Sequence, residues 1–307
     1  MRGDKMKRNN FFVTAVLLLS SAPAVFAGGT TASFLKLGSG ARATGLGGAF
    51  TAVVDDINSI SYNPAGLANL KKSEFGFTRA ELVEGVSYNF LGYSKLVAKG
   101  SIGLGVNYLG QSSIEGRGAN REATGGFRAS DTAINLAYGR PLTARASLGL
   151  NFKYITSRIA GESANGWAVD AGWQYKMPVK GLSLGFAAQN IGPKIKFLEE
   201  GSSLPLTARA GAGYMLLDNV LLSFDVGRQI NESKTVFSFG SEYAVFNSFF
   251  MRAGYLGNAT AGGSGLADAG GFKAGFGLKL KGFNLDYAVT PFGDIGKAHR
   301  ISLGAGF

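Results

Sequence analysis

The last seven residues, Ile301-Ser302-Leu303-Gly304-Ala305-Gly306-Phe307, carry the pattern that decides the fold. Apolar side chains occupy every odd position, and small or polar residues occupy every even position. Because successive side chains of a β-strand point to opposite faces, this pattern predicts a strand with one apolar and one polar face. The same alternation recurs, segment after segment, back to about residue 73.

The other end of the chain predicts export. Residues 2–8 carry four basic side chains, residues 11–20 form an apolar run, and Val25-Phe26-Ala27-Gly28 offers a small-residue cleavage site. The apolar run is far shorter than the roughly 20 residues of a spanning helix, which favours a cleaved signal peptide over a membrane anchor. We therefore expect a signal peptide over residues 1–27, with the mature chain beginning near Gly28.

The composition favours a barrel in a membrane. The chain of 307 residues has 47 glycines, 7 prolines, 23 phenylalanines and 11 tyrosines, which is too apolar for disorder and too glycine-rich for a helical protein. No stretch after the signal approaches a spanning helix. Only helices and closed barrels satisfy all backbone hydrogen bonds in lipid, so these features predict an all-β fold, a transmembrane antiparallel β-barrel. The net charge of +11 would suit an anionic lipopolysaccharide surface.

We predict fourteen strands joined by connections of two lengths. The strands are residues 74–79, 85–96, 101–110, 128–140, 145–156, 166–177, 182–191, 206–216, 220–230, 235–245, 249–255, 271–280, 283–290 and 297–307. Tight turns are expected at 99–100, 141–144, 178–181, 217–219, 247–248 and 281–282, and long loops at 111–127, 157–165, 192–205 and 257–269. Transmembrane barrels have short periplasmic turns and longer outer loops, so this alternation supports the barrel.

Residue parity assigns the two faces of each strand. The faces that should contact lipid include Leu148, Leu150, Phe152, Tyr154, Trp167, Val169, Trp173, Phe272, Phe276 and Leu278. The opposite, lumen-facing parity carries Lys153, Asp170, Arg209, Asp225, Glu242, Arg252, Lys273, Lys279, Asp286 and Arg300. A soluble sandwich would bury the apolar face between two sheets instead, but the signal, the turns and the final Phe favour the barrel. On this assignment, Asn151 faces the lumen and should tolerate replacement by Arg.

Residues 28–72 have no strong strand pattern and are predicted to plug the lumen as an N-terminal hatch. They contain the most distinctive string of the chain, GARATGLGGAFTAVVDDINSISYNPAGLA at residues 40–68. It predicts glycine turns and then a short helix, capped by Asp55 or Asp56 and ended before Pro64. The hatch residues that we single out are Arg42, Asp55, Asp56, Asn63, Pro64, Ala65 and Gly66.

This string, ending in Asn63-Pro64-Ala65-Gly66, resembles the N-terminal region of the PorV/PorQ group of outer-membrane proteins, relatives of the FadL-type transporters of long-chain fatty acids and other hydrophobic compounds. The resemblance implies a fourteen-stranded barrel with the hatch in its lumen, residues 73–307 forming the barrel. It also implies the outer membrane of a Gram-negative-type bacterium, with outer-membrane lipid and lipopolysaccharide as surroundings. The terminal Phe307 resembles the assembly signal that the barrel-assembly machinery recognises.

The other motifs favour no enzyme. Gly38-Ser39-Gly40-Ala41-Arg42-Ala43 matches a dinucleotide-binding pattern but lacks the β-α-β context that such a site needs. The chain has no cysteine, its single histidine, His299, has outward parity, and metal ligands in a recognisable spacing are absent. We therefore expect no cofactor, no metal, no nucleic-acid partner and no catalytic residue.

Three function classes remain open. The first is passive passage of small hydrophobic or amphiphilic molecules through a hatch-plugged lumen. The second is an interaction role, as a PorV-like component of a type IX secretion or cell-surface attachment system with secretion-system proteins as partners. An outer-membrane hydrolase is the third. A transporter needs an apolar pocket connected to the lumen, whereas a docking protein needs a contiguous outer patch.

Overall fold

The computed structural model describes residues 30–82, 85–112, 114–117, 123–197, 200–258, 270–291 and 296–307. The predicted signal peptide, residues 1–27, lies outside the described residues. Within the described ranges, none of the helices is long and apolar enough to cross a membrane.

In this part of the chain, fourteen antiparallel strands close into a barrel. They are β1 (Glu74–Glu81), β2 (Val86–Val97), β3 (Gly100–Gln111), β6 (Ala129–Pro141), β7 (Ala146–Ile159), β8 (Glu162–Lys176), β9 (Leu182–Ile191), β12 (Thr207–Leu216), β13 (Val220–Gln229), β14 (Lys234–Phe246), β15 (Phe249–Asn258), β16 (Gly271–Leu280), β17 (Phe283–Pro291) and β18 (Lys297–Gly306). Two hairpins outside the ring are β4 (Ile114–Arg117) with β5 (Ala123–Phe127) and β10 (Ile195–Phe197) with β11 (Glu200–Ser202). The ring closes because β1 pairs with β18, from Glu74 opposite Gly306 to Glu81 opposite His299.

The predicted barrel of fourteen strands is confirmed, and most of the predicted ends lie within two residues of the observed ones. The largest difference is between β7 and β8, where the predicted long loop over residues 157–165 is wrong. The two strands continue as a hairpin to a tight turn at Ala160 and Gly161, whose positive φ values of 52° and 93° fit the mirror-image turns that match strand twist. The predicted loops at 111–127 and 192–205 contain the β4–β5 and β10–β11 hairpins.

The exposure of alternate residues shows which solvent each face meets. Leu150 and Phe152 on β7 are 59% and 46% exposed, whereas the intervening Asn151 is fully buried. An apolar exterior around a polar interior reverses the arrangement of a soluble sandwich and matches a sheet that faces lipid. The parity assignment of the sequence therefore agrees with the side chains of the described strands.

Residues 30–72, here called the N-terminal segment, consist of short turns and helices. The 3₁₀ turns are Ser33–Lys36 and Pro64–Asn69, and the α-helices are Ala41–Gly45 and Ser59–Tyr62. The predicted stop before Pro64 is observed, since the second helix ends at Tyr62 and Asn63 is extended, at φ −154° and ψ 103°. The predicted cap is different: the N-cap residue is Asn58, and Asp56 accepts the Asn58 backbone N–H at 2.8 Å.

Candidate functional site in the barrel interior

The N-terminal segment enters the barrel at the end opposite the C-terminus. The backbone N–H of Thr31 donates to the carbonyl of Ser203 at 3.0 Å, and Lys36 pairs with Glu232 at 2.9 Å. Ser203 and Glu232 lie in connections at the end with the longer loops, which is the outer end of a transmembrane barrel. The segment then reaches the opposite end and continues into β1, so it runs through the length of the interior.

Side chains of the barrel hold the backbone of this segment at many points. Gln189 donates to the carbonyls of Ser61 and Tyr62 at 2.9 and 3.1 Å. Asp225 accepts the backbone N–H groups of Phe50 and Thr51 at 3.1 and 2.9 Å. These bonds matter because an irregular segment leaves backbone donors and acceptors that must find partners when buried. The inward polar side chains of the barrel supply them.

Asn63 holds the backbone at three points with its own side chain. It is fully buried, and its side-chain amide donates to the carbonyls of Thr51 at 2.8 Å and Trp173 at 3.0 Å. Its side-chain oxygen accepts the N–H of Ala65 at 3.2 Å. One asparagine thus ties two parts of the segment to each other and to strand β8, which fixes the Asn63–Pro64 turn.

Glycines on the inward face of the strands let the segment approach the wall. A methyl group on Gly149 would overlap the carbonyl carbon of Pro64, and one on Gly254 would overlap the backbone nitrogen of Gly47. Close backbone approach of this kind requires residues without a Cβ. The high glycine content of the chain therefore has a packing reason at these positions.

We expect Gly149→Ala to displace the Pro64 turn, because the added methyl group has no room. Overpacking of a dense interior costs about 1–3 kcal/mol, so the free energy of unfolding should fall and the conductance of the barrel in planar bilayers should rise. The matched control is Gly304→Ala, also inward-facing, whose added methyl group would lie no closer than 3.6 Å to another atom. Equal behaviour of the two variants would contradict the packing argument.

A buried chain of charges links the segment to the wall. Arg42 bonds to both carboxylate oxygens of Glu242, at 2.8 and 3.0 Å, and pairs with Asp55. Glu242 also accepts from Arg252 at 2.6 Å, and Arg252 pairs with Asp286 at 2.6 Å. Arg42 therefore bonds to a charge of the wall, whereas the described ion pairs of Asp55 and Asp56 are with Arg42 of the same segment. Bidentate arginine–carboxylate contacts fix geometry as well as charge.

Both members of the predicted aspartate pair lie near Arg42. Asp55 is half exposed and pairs with Arg42, whereas Asp56, 3.9 Å from Arg42, also accepts the backbone N–H of Asn58. Burial, together with the adjacent Asp55 carboxylate, raises the pKa of Asp56 to about 6.

The ten predicted lumen-facing residues separate into groups by position. Glu242, Arg252 and Asp286 belong to the ion-pair network of Arg42. Lys279 lines a cavity together with these three residues. Lys153 and Asp170 form a second, fully buried pair at 2.8 Å. The remaining residues that line or adjoin the interior are Arg209, Asp225, Lys273 and Arg300.

The burial of Asn151 argues against its predicted tolerance of arginine. Its side-chain nitrogen lies within hydrogen-bond distance of the Ile60 carbonyl at 3.3 Å and of Asp170 at 3.1 Å. The interior is filled at this point, so an arginine has no room and no water to enter. The sequence pattern also missed Gln189 and Gln174 as anchors of the segment; their inward parity was the only available signal.

Among the described residues, three of the cavities adjoin the N-terminal segment. One of about 90 Å³ lies in the outer half, between Leu37, Gly38 and Tyr62 of the segment and the strands. Two others, of about 470 and 260 Å³, lie on the opposite side and share Asp55 and Asp56 among their linings. The segment therefore separates an outer cavity from inner ones.

A closed barrel with an apolar exterior and a polar, occupied interior defines a transmembrane β-barrel of the class to which outer-membrane channels belong. The sequence model of the type IX secretion system protein PorV matches residues 25–232. The chain belongs to the PorV family.

Solved structures share the fold at low sequence identity. The chain is similar to the CymD monoaromatic hydrocarbon channel, with a TM-score of 0.67, 12% identity and coverage of 88% of this chain and 98% of that one. The chain is also similar to the Pseudomonas putida toluene transporter TodX, with a TM-score of 0.64, 13% identity and coverage of 88% of this chain and 96% of that one. For a Pseudomonas aeruginosa FadL homologue, the TM-score is 0.55 and the identity 13%, with coverage of 92% of this chain and 99% of that one. The comparison with curated proteins found no match.

Proposed function

We propose that this chain is a non-enzymatic, FadL-like outer-membrane barrel that admits small hydrophobic or amphiphilic molecules, with residues 28–72 acting as a hatch. The observation that carries the proposal is the position of the segment, held by wall side chains between an outer cavity and inner cavities. The fold is shared with proteins described as a monoaromatic hydrocarbon channel and a toluene transporter, which supports a solute of this class.

Passage through such a barrel would require local movement of the hatch, because its side chains are packed together. One buried apolar cluster consists of Leu46, Phe50, Val54 and Tyr62 with Ala43. Asn63 joins this part of the hatch to strand β8. We propose that the Asn63–Gly66 turn sets the closed position and that passage follows its displacement.

The test measures accumulation of labelled toluene and of a labelled fatty acid by cells. The Asn63→Ala/Pro64→Ala variant should change accumulation at least about threefold, because loss of the buried hydrogen bonds costs roughly 1–3 kcal/mol. The control, Asn165→Ala/Pro178→Ala, replaces the same residue types at exposed positions and should match wild type. If cells with wild type, with the hatch variant and without the protein accumulate every solute equally, transport is rejected.

A second function, as a component of a type IX secretion or attachment system, is favoured by the family match. The matched range, residues 25–232, includes the hatch and most of the strands. In this role the outer connections would contact secretion-system proteins. Cross-linking from the β4–β5 and β10–β11 hairpins tests this role. A single defined envelope protein cross-linked to the hairpins would support docking, and the lack of any cross-linked partner would contradict it.

We also propose the finer points of location and assembly. The chain would reach the outer membrane of a Gram-negative-type bacterium after cleavage near Ala27, with lipid and lipopolysaccharide around it. Phe307 would act as the signal for the barrel-assembly machinery. Its exposed ring stacks on Tyr93 with centroids 6.3 Å apart, and its N–H donates to Ser73 at 3.0 Å, which places the aromatic at the outside of the barrel seam.

A further inference from the structure

Three cationic side chains of the barrel wall line the outer cavity, beside Lys36 of the segment, which pairs with Glu232. They are Arg209 of β12, Lys273 of β16 and Arg300 of β18. Among the described residues, none of the three forms an ion pair, and the lining of the cavity includes no Asp or Glu. Three positive charges from three strands thus converge on one cavity.

The other contacts of these cations are with neutral groups. Arg209 donates to the side-chain oxygen of Gln189 at 3.0 Å. Arg300, which is 8% exposed, donates to the carbonyl of Gly38 and lies 5.4 Å from the ring centre of Tyr88. Such contacts position a guanidinium. Arg209 also interacts electrostatically with the buried Asp225 of β13, which lies outside the lining of the cavity, whereas Lys273 and Arg300 have no carboxylate among their described contacts. Because a buried charge without a counter-charge is costly, the site gains from a bound anion.

The opposite side of the hatch has the reverse balance of charge. The cavity of about 260 Å³ is lined by five carboxylates, from Asp55, Asp56, Glu74, Glu242 and Asp286, against three basic side chains. Five inward carboxylates are therefore grouped at the other end of the interior. An anion in the barrel is attracted to the outer cavity and repelled from the inner one.

The size of the outer cavity limits the ligand. A volume of about 90 Å³ holds a few water molecules, since one water needs about 10–15 Å³ of such space. A compact oxyanion fits this space. Three cations also match the charge of a phosphate group, about −1.5 to −2 at neutral pH, better than that of a single carboxylate.

We propose that the outer cavity is a binding site for a phosphate group, held by Arg209, Lys273 and Arg300. Tyr62, which also lines the cavity from the hatch, can donate its hydroxyl to the same ligand. The group can be free inorganic phosphate or the head of an amphiphile whose chain lies outside the cavity. The proposal goes beyond the proposed transport function and does not depend on it, because it concerns binding alone.

The test is isothermal titration of the full mature chain, purified in a neutral maltoside detergent, with inorganic phosphate. Lys273→Met should weaken binding about ten- to a hundredfold, the effect of losing one charged hydrogen bond. The matched control is Lys279→Met, which removes the same charge from the same strand at the inner cavity and should stay within about twofold of wild type. Heat-modifiable migration in gels verifies that each barrel is folded.

Hexyl phosphate and hexanoate separate the sources of the ligand. Tighter binding of hexyl phosphate than of inorganic phosphate, with the same dependence on Lys273, identifies an amphiphile head; equal or weaker binding identifies free phosphate. If Lys273→Met does not fold, Arg209→Gln takes its place with the same expected loss. The proposal is overturned if wild type binds neither phosphate at millimolar concentration, if hexanoate binds as tightly as phosphate, or if the cavity variant binds like the control.

Discussion

Lys153→Met should lower the free energy of unfolding by about 3–5 kcal/mol, the usual cost of removing one partner from a buried ion pair. Lys153 and Asp170 are 2.8 Å apart, with side chains 5% and 0% exposed. Without the lysine, the Asp170 carboxylate keeps the Asn151 amide and the Asn190 backbone N–H but loses its counter-charge. Urea unfolding of the barrel in lipid vesicles measures the loss.

Two comparisons test the cause of this loss. Lys180→Met removes a lysine from an ion pair of similar length, 3.1 Å to Asp218, but both side chains are more than 70% exposed, so stability should hardly change. Combining Lys153→Met with Asp170→Asn should cost less than the sum of the two single changes, because the groups are in direct contact. Additive single effects would show that the pair is not coupled.

Leu150→Arg should destabilise the barrel by about 2–4 kcal/mol, the cost of arginine on the lipid face near the bilayer midplane. Leu150 lies on the outward face of β7 and is 59% exposed, so packing within the protein explains little of the expected effect. The cost arises from transfer of a charge into hydrocarbon. Urea unfolding in vesicles gives the value.

The same substitution in the tight turn after β6 provides the control for Leu150→Arg. Leu142 is 49% exposed and lies at the end of the barrel that carries the short turns. Near an interface the cost of arginine falls to about 0–1 kcal/mol. Similar losses at the two positions would mean that exposure on β7 does not correspond to lipid depth.

The strands could be predicted because each barrel strand faces two different environments, so apolar and polar residues alternate along it. Apolar Leu150 and Phe152 alternate with Asn151 and Lys153, so parity alone assigned the faces of β7. The lengths of the turns then indicated which end of the barrel faces outward. Near the turn at Ala160 and Gly161, the alternation of apolar and polar residues ends, with Arg158 on the exposed face, so the sequence predicts a loop there.

The interior could be predicted only in part. The stop at Asn63–Pro64 follows from local chemistry, since proline disfavours helical backbone before it. The path of residues 30–72 depends instead on contacts with distant strands, such as those of Gln189 and Asp225. An inward asparagine or glutamine looks the same in the sequence whether it meets water or a backbone carbonyl, which is why the contacts of Asn151 were not predicted.

The pairing of β1 with β18 has a consequence for the order of folding. Glu74 meets Gly306, so the ring cannot close until the whole chain has been made, and contacts of such high sequence separation form late. Until then the sheet stays open between β1 and β18, and residues 30–72 can enter the interior through this gap. Because Ser73 joins these residues directly to β1, the inner segment and the closing strand arrive together, and slow ordering of the one delays sealing by the other.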